Sequence, residues 1–121
     1  MNNSINNPAI LSILVADEQR QVSVDKSMLD DALPLFDKMD QDMDNGWQLG
    51  RQYVMTLNTL QRCQVAANRL LTALHTGNEA SMTLMAGYIL TRLPEVKTAS
   101  INTEGEADET LFYDHSDTLI S

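Results

Sequence analysis

A chain of 121 residues with 43% hydrophobic and 21% charged side chains has room for one buried core without disulfide or metal staples. Its 17 acidic against 8 basic residues give a net charge of −9, which argues against an autonomous nucleic-acid binder and against docking on anionic membranes. A single cysteine, Cys63, excludes an internal disulfide; the apolar run Ala9–Ala16 has no Lys or Arg ahead of it, so the expected setting is the cytoplasm.

Residues 1–7 are polar and asparagine-rich and are expected to be mobile. From Pro8 the pattern forks. Proline after two asparagines suits a capped helix start, whereas Ile10, Leu11, Ile13, Leu14 and Val15 suit a buried strand. Val22 and Val24 share one face of an extended segment, and extended structure is the preferred reading for this stretch.

Ser27 with Asp30 three residues on resembles a capping box, and Leu29, Ala32, Leu33, Phe36, Met39 and Met43 keep helical spacing to about Asp44. Pro34 should kink this helix or restart it. Asn45-Gly46 is a stop, and Trp47, Leu49, Tyr53 and Val54 follow in a partly helical connector.

Asn58–Pro94 predicts two helices joined by a short turn. Asn58 and Gln61 can form a capping box, with Leu60, Cys63, Ala67, Leu70, Leu71 and Leu74 on one stripe behind them. Gly77 ends the first helix and Asn78 caps the second. In the second, Met82, Met85, Ala86, Ile89 and Leu93 form one stripe, and Leu84 and Tyr88 lie on another face. No charge falls between Glu79 and Arg92. Such a helix is buried on more than one side, and it is shorter than the roughly 20 residues a bilayer needs. Its cover must come from this chain or from a second subunit. Met82, Leu84, Met85, Tyr88 and Ile89 are the candidate interface residues.

Beyond Pro94 the residue types turn to β: Val96–Thr103, a turn at Glu104-Gly105-Glu106, then Thr110–Tyr113, which predicts a C-terminal β-hairpin. Asp114–Ser121 reads as a loose tail, flexible over 115–121. The stretch 25–46 carries seven aspartates against Lys26 and Lys38, whereas 58–93 carries Arg62, Arg69 and Arg92 against Glu79. Acidic flanks folding back on this basic centre compete with plain solvated faces, which are the default because exposed ion pairs contribute only about 0–1 kcal/mol.

Asp40, Asp42 and Asp44 before Gly46 are the candidate metal ligands, because alternating carboxylates open a calcium loop. The match breaks where Asn45 takes the glycine position and Arg51 the closing-glutamate position, so a solvated helix end is favoured. Asp114-His115-Ser116-Asp117 lacks a second ligand cluster. His75, in a last helical turn, suits the helix dipole. Cys63 lies on an apolar stripe without an activating base. The helix after Asn78 offers Met, Leu, Ala, Ile and Tyr where a DNA-reading helix needs polar and basic groups.

No catalytic residue set and no cofactor site emerges. The expected fold is α+β and mainly helical in one domain over 1–121, with about three main helices around a central antiparallel helical hairpin and a C-terminal β-hairpin. The expected function is that of a small acidic protein-interaction or regulatory protein, homodimeric, with no nucleic-acid or membrane partner. The alternatives are a metal binder using Asp40, Asp42 and Asp44, or a small-ligand protein or enzyme with a pocket near Trp47, Tyr53, His75 and Tyr88.

Overall fold

The computed structural model describes residues 8–121. The expectation for residues 1–7 lies outside that range. Strands β1 (Ala9–Val15) and β2 (Glu18–Val24) form an antiparallel hairpin with Val15 opposite Glu18. Its two turn residues, Ala16 and Asp17, both adopt positive φ, 51° and 68°, the geometry that matches the twist of the flanking strands. Helix α1 (Lys26–Met43) follows, then the short hairpin of β3 (Trp47–Leu49) and β4 (Gln52–Val54). Helices α2 (Thr59–Thr76) and α3 (Glu79–Arg92) lead to β5 (Val96–Ser100), a 3-10 turn at Ala107–Glu109, β6 (Leu111–Asp114) and β7 (Leu119–Ile120).

The main sheet has five strands in the order β2-β1-β5-β6-β7. β1 and β5 run parallel at its centre, with Ser12 beside Thr98 and Ile13 beside Ala99; every other pairing is antiparallel. This overturns the expected mainly helical arrangement of a helical hairpin with an appended β-hairpin. Residues 8–121 are 46% helix and 27% strand around a mixed sheet. The strands near the two ends of the chain build one sheet together, and β5 and β6 are inner members of it. Local periodicity cannot register the contact between β1 and β5, because the residues that make it are far apart in sequence.

Local capping chemistry sets the helix ends. Asn58 and Gln61 form the reciprocal capping box of α2, at 2.8 and 2.9 Å. Gly77 closes α2 at φ 70°, a left-handed conformation that glycine adopts without steric penalty, and the Asn78 side chain caps α3. Four expectations are corrected. The N-cap of α1 is Asp25, whose carboxylate accepts from the Ser27 amide at 3.0 Å and from its hydroxyl, so Ser27 is not the cap. Pro34 does not restart α1, which runs unbroken from Lys26 to Met43; it sits on the exposed side, where the Asp30 carbonyl it leaves unpaired faces solvent. Trp47–Val54 is a β-hairpin, and the supposed tail contains β7.

One face of the sheet carries the core. Leu11 opposite Val22, and the row Ile13, Ala99, Phe112 and Ile120, point toward the helices. α2 is the central helix, with Cys63 through Ala67 buried consecutively. α3 lies between α2, α1 and the β1–β2 hairpin, so this chain covers both sides of it. Gly87 permits that approach, since a Cβ there would stand 2.9 Å from Leu29 Cδ2 and 3.2 Å from Phe36 Cζ. No described helix is long and apolar enough to cross a membrane.

Candidate functional site

The densest set of functional groups joins α1 to the α2–α3 hairpin. Asp40 projects from α1 between Arg62 of α2 and Arg92 of α3. Arg92 donates to Asp40 Oδ2 from Nη2 at 2.8 Å and from Nε at 3.1 Å, and Nη2 also reaches Asp37 at 3.2 Å. Arg62 spends all three nitrogens: Nε on the Leu57 carbonyl, Nη1 on the Asp40 carbonyl, and Nη2 on the Asp44 carboxylate at 2.7 Å. The Tyr88 hydroxyl donates to Asp40 Oδ1, while its ring meets Phe36 edge-on, centroids 5.7 Å apart, and Arg92 stacks 5.2 Å from the ring centre. An open cleft of about 520 Å³ lies above the cluster, bordered also by Leu57, Asn58 and Thr59.

The electrostatics of this cluster argue against acid–base chemistry. Burial pushes the Asp40 carboxyl up, but the bonds from Tyr88 and Arg92 and the charges of Arg92 and Arg62 outweigh it and hold it below the ordinary 3.8. Burial, reinforced by the Asp40 carboxylate, raises the Tyr88 hydroxyl far above its ordinary range. Cys63 is pushed up to about 12, first by burial and then by the Asp40 charge. Asp40, Tyr88 and Cys63 are each shifted away from neutral pH, where a general acid or base works best. Two guanidiniums face the three carboxylates of Asp37, Asp40 and Asp44, so an anionic ligand would meet excess negative charge. The geometry makes a clamp that locks three helices together.

The candidate metal ligands are divided among cations. Asp40 is held by the two arginines, Asp44 by Arg62, and Asp42 by Lys38 one turn earlier. Among the described residues no group of three or more His, Cys, Asp or Glu side chains gathers as a ligand set. The proposed pocket linings also separate. Trp47 lies 5.2 Å under the Arg69 guanidinium, and Tyr53, on the opposite face of its hairpin, donates to the Asn45 carbonyl. His75 is exposed in the last turn of α2. Of the candidate interface residues, Met82, Met85, Tyr88 and Ile89 are buried within the chain, and Leu84 packs partly buried against the core.

A surface that the sequence did not mark lies on the other side of the main sheet. By the strand register, β1 presents Ile10, Ser12 and Leu14 there, and β2 presents Gln19, Gln21 and Ser23. β5 adds Thr98 and Ser100, β6 adds Leu111 and Tyr113, and β7 adds Leu119. No residue of this set is charged, in a chain with 25 charged side chains of which 17 are acidic; Lys97, which the β5 bulge places next to Thr98, is paired with Asp117 at 3.1 Å. Ile10, Leu111 and Leu119 are 43%, 41% and 49% exposed. Only the register could have exposed this face, because its residues come from five separated segments. The chain matches no protein-family model, no curated protein and no solved structure.

Proposed function

We propose that the protein is a small non-catalytic interaction module of the cytoplasm that engages a protein partner through the uncharged outer face of its main sheet. The observation that carries this reading is the contrast between the two faces. One buries Leu11, Ile13, Ala99 and Phe112 under the helices, while the other leaves Ile10, Leu111 and Leu119 in solvent without a charge among its residues. Surface leucines scattered singly need no explanation, but depletion of charge around exposed apolar residues on one face of a sheet is the composition of an interface core. The shifts of Asp40, Tyr88 and Cys63 away from neutral pH support a non-catalytic role. A lone buried thiol suits a reducing compartment.

A photo-crosslinking amino acid placed at Leu111 in the source cells tests the reading, with the same probe at Leu35 as control. Leu35 is as exposed as Leu111 but lies on α1. A protein adduct at Leu111 that is absent at Leu35 is the expected result. Equal adducts at both positions, or none at Leu111, would remove the sheet face as the contact surface.

A further inference from the structure

We infer that the partner seated on this face is a second copy of the same chain, an inference that rests on the reading of the face given above. Two copies of a chain with net charge −9 repel one another over most of their surfaces. They can approach closely where no acid opposes an acid: the residues that the strand register assigns to the outer face are uncharged, and Lys97, at the bulge of β5, is paired with Asp117. A strongly basic partner would instead be drawn to the acidic surroundings, including Glu104, Glu106 and Glu109 beyond β5.

The relief of the face fits itself. Its middle holds a low patch of the small residues Ser12, Thr98 and Ser100, flanked along β1 by Ile10 and Leu14, and Ser12 and Thr98 are direct neighbours across the parallel pair. Leu111, Tyr113 and Leu119 stand higher along one side, on β6 and β7. A two-fold axis lying between the sheets sets the ridge of one copy over the trough of the other, an isologous contact with every residue used twice. Stacked sheets pack about 10 Å apart, which side chains of this size fill.

The area sets the size class of the contact. Five strands about 4.8 Å apart and roughly five residues long cover on the order of 400 Å² per copy. A standard stable interface takes about 800 Å² from each partner. A contact of half that size belongs with the weak, transient class, so the dimer should dissociate on dilution.

Sedimentation velocity on the full chain, from about 1 to about 500 μM, tests this. The expected result is a mass rising from 13.5 kDa toward twice that value. Leu111→Glu should weaken the dimer at least tenfold while leaving the melting temperature unchanged, and Leu35→Glu should leave association intact. Leu119→Lys, at the more exposed ridge position, serves if Leu111→Glu fails to fold. A monomer throughout, or a dimer that survives both ridge substitutions, overturns the inference. If the Leu111 probe captures only a different protein and the purified chain stays monomeric, the inference fails and the interaction reading stands. If that probe captures nothing, both fail.

Discussion

Asp40 is pulled two ways. Burial opposes its charge, while one hydroxyl and two guanidiniums favour it, and the second influence prevails. Asp40→Ala would leave Arg62 and Arg92 facing each other and the Tyr88 hydroxyl without an acceptor. Removing one partner of a buried pair costs about 3–5 kcal/mol; with the Asp40 side chain 27% exposed, about 2–3 kcal/mol is expected in urea unfolding. The folded carboxyl titrates below its ordinary 3.8, so this stabilisation is full above that value and is lost as pH falls through the depressed one. The stability gap between the native chain and Asp40→Asn should therefore narrow below pH 3.8, and a gap constant to pH 2 would contradict the assignment. The neighbouring Cys63 is fully buried, with its thiol pushed up to about 12. Its reaction with an aromatic disulfide reagent at pH 8 should be at least about a thousandfold slower in the folded chain than in urea, limited by opening of the core. Fast native labelling would show that the α2 core is not closed.

At the scale of the elements, what could be read from the sequence was what is local. Asn58, Gln61, Gly77 and Asn78 mark their helix ends because a cap is a contact between residues two to four apart. Which helix faces meet is not local. Asp40 could be singled out as an acid, but its partnership with Arg62 and Arg92 depends on how α1 crosses the hairpin. The same limit hid the sheet: Ile10–Val15 reads equally well as helix or strand until Thr98 and Ala99 are placed beside Ser12 and Ile13. Gly87 is the residue whose size fixes the α1–α3 approach, and a glycine within a helix gives no sign of that from spacing alone. Alanine there gains about 1 kcal/mol of helix propensity and pushes the partly buried Leu29 aside, so its net effect should stay within about 1 kcal/mol. Valine must also displace Phe36, which is fully buried and held edge-on by Tyr88. Gly87→Val should cost about 2–3 kcal/mol by overpacking. Thermal melts of the two variants decide the matter; equal losses would mean that the gap around Gly87 is looser than these distances show.

At the scale of the whole molecule, the helical clamp and the inferred sheet-face dimer should respond oppositely to salt. The clamp of Asp37, Asp40 and Asp44 on Arg62 and Arg92 is an attraction of unlike charges, partly exposed, and salt screens it. Self-association through the outer sheet face brings two bodies of charge −9 together over an uncharged patch, so the long-range term is repulsive and salt weakens the repulsion. The screening length shrinks from about 30 Å at 10 mM salt to about 10 Å at 100 mM, from more than the width of the patch to less than half of it. Raising sodium chloride across that range should therefore tighten the dimer, by about three- to tenfold in sedimentation equilibrium, a shift of about 0.6–1.4 kcal/mol. Over the same range the melting temperature of the dilute monomer should fall or stay level, since its folded state gains nothing from a contact it does not make. Association that weakens with salt would identify an interface built on ion pairs, which the outer face cannot supply. Such a result would move the contact to the charged helical side of the molecule, where Arg51, Lys38 and the α1 carboxylates are exposed.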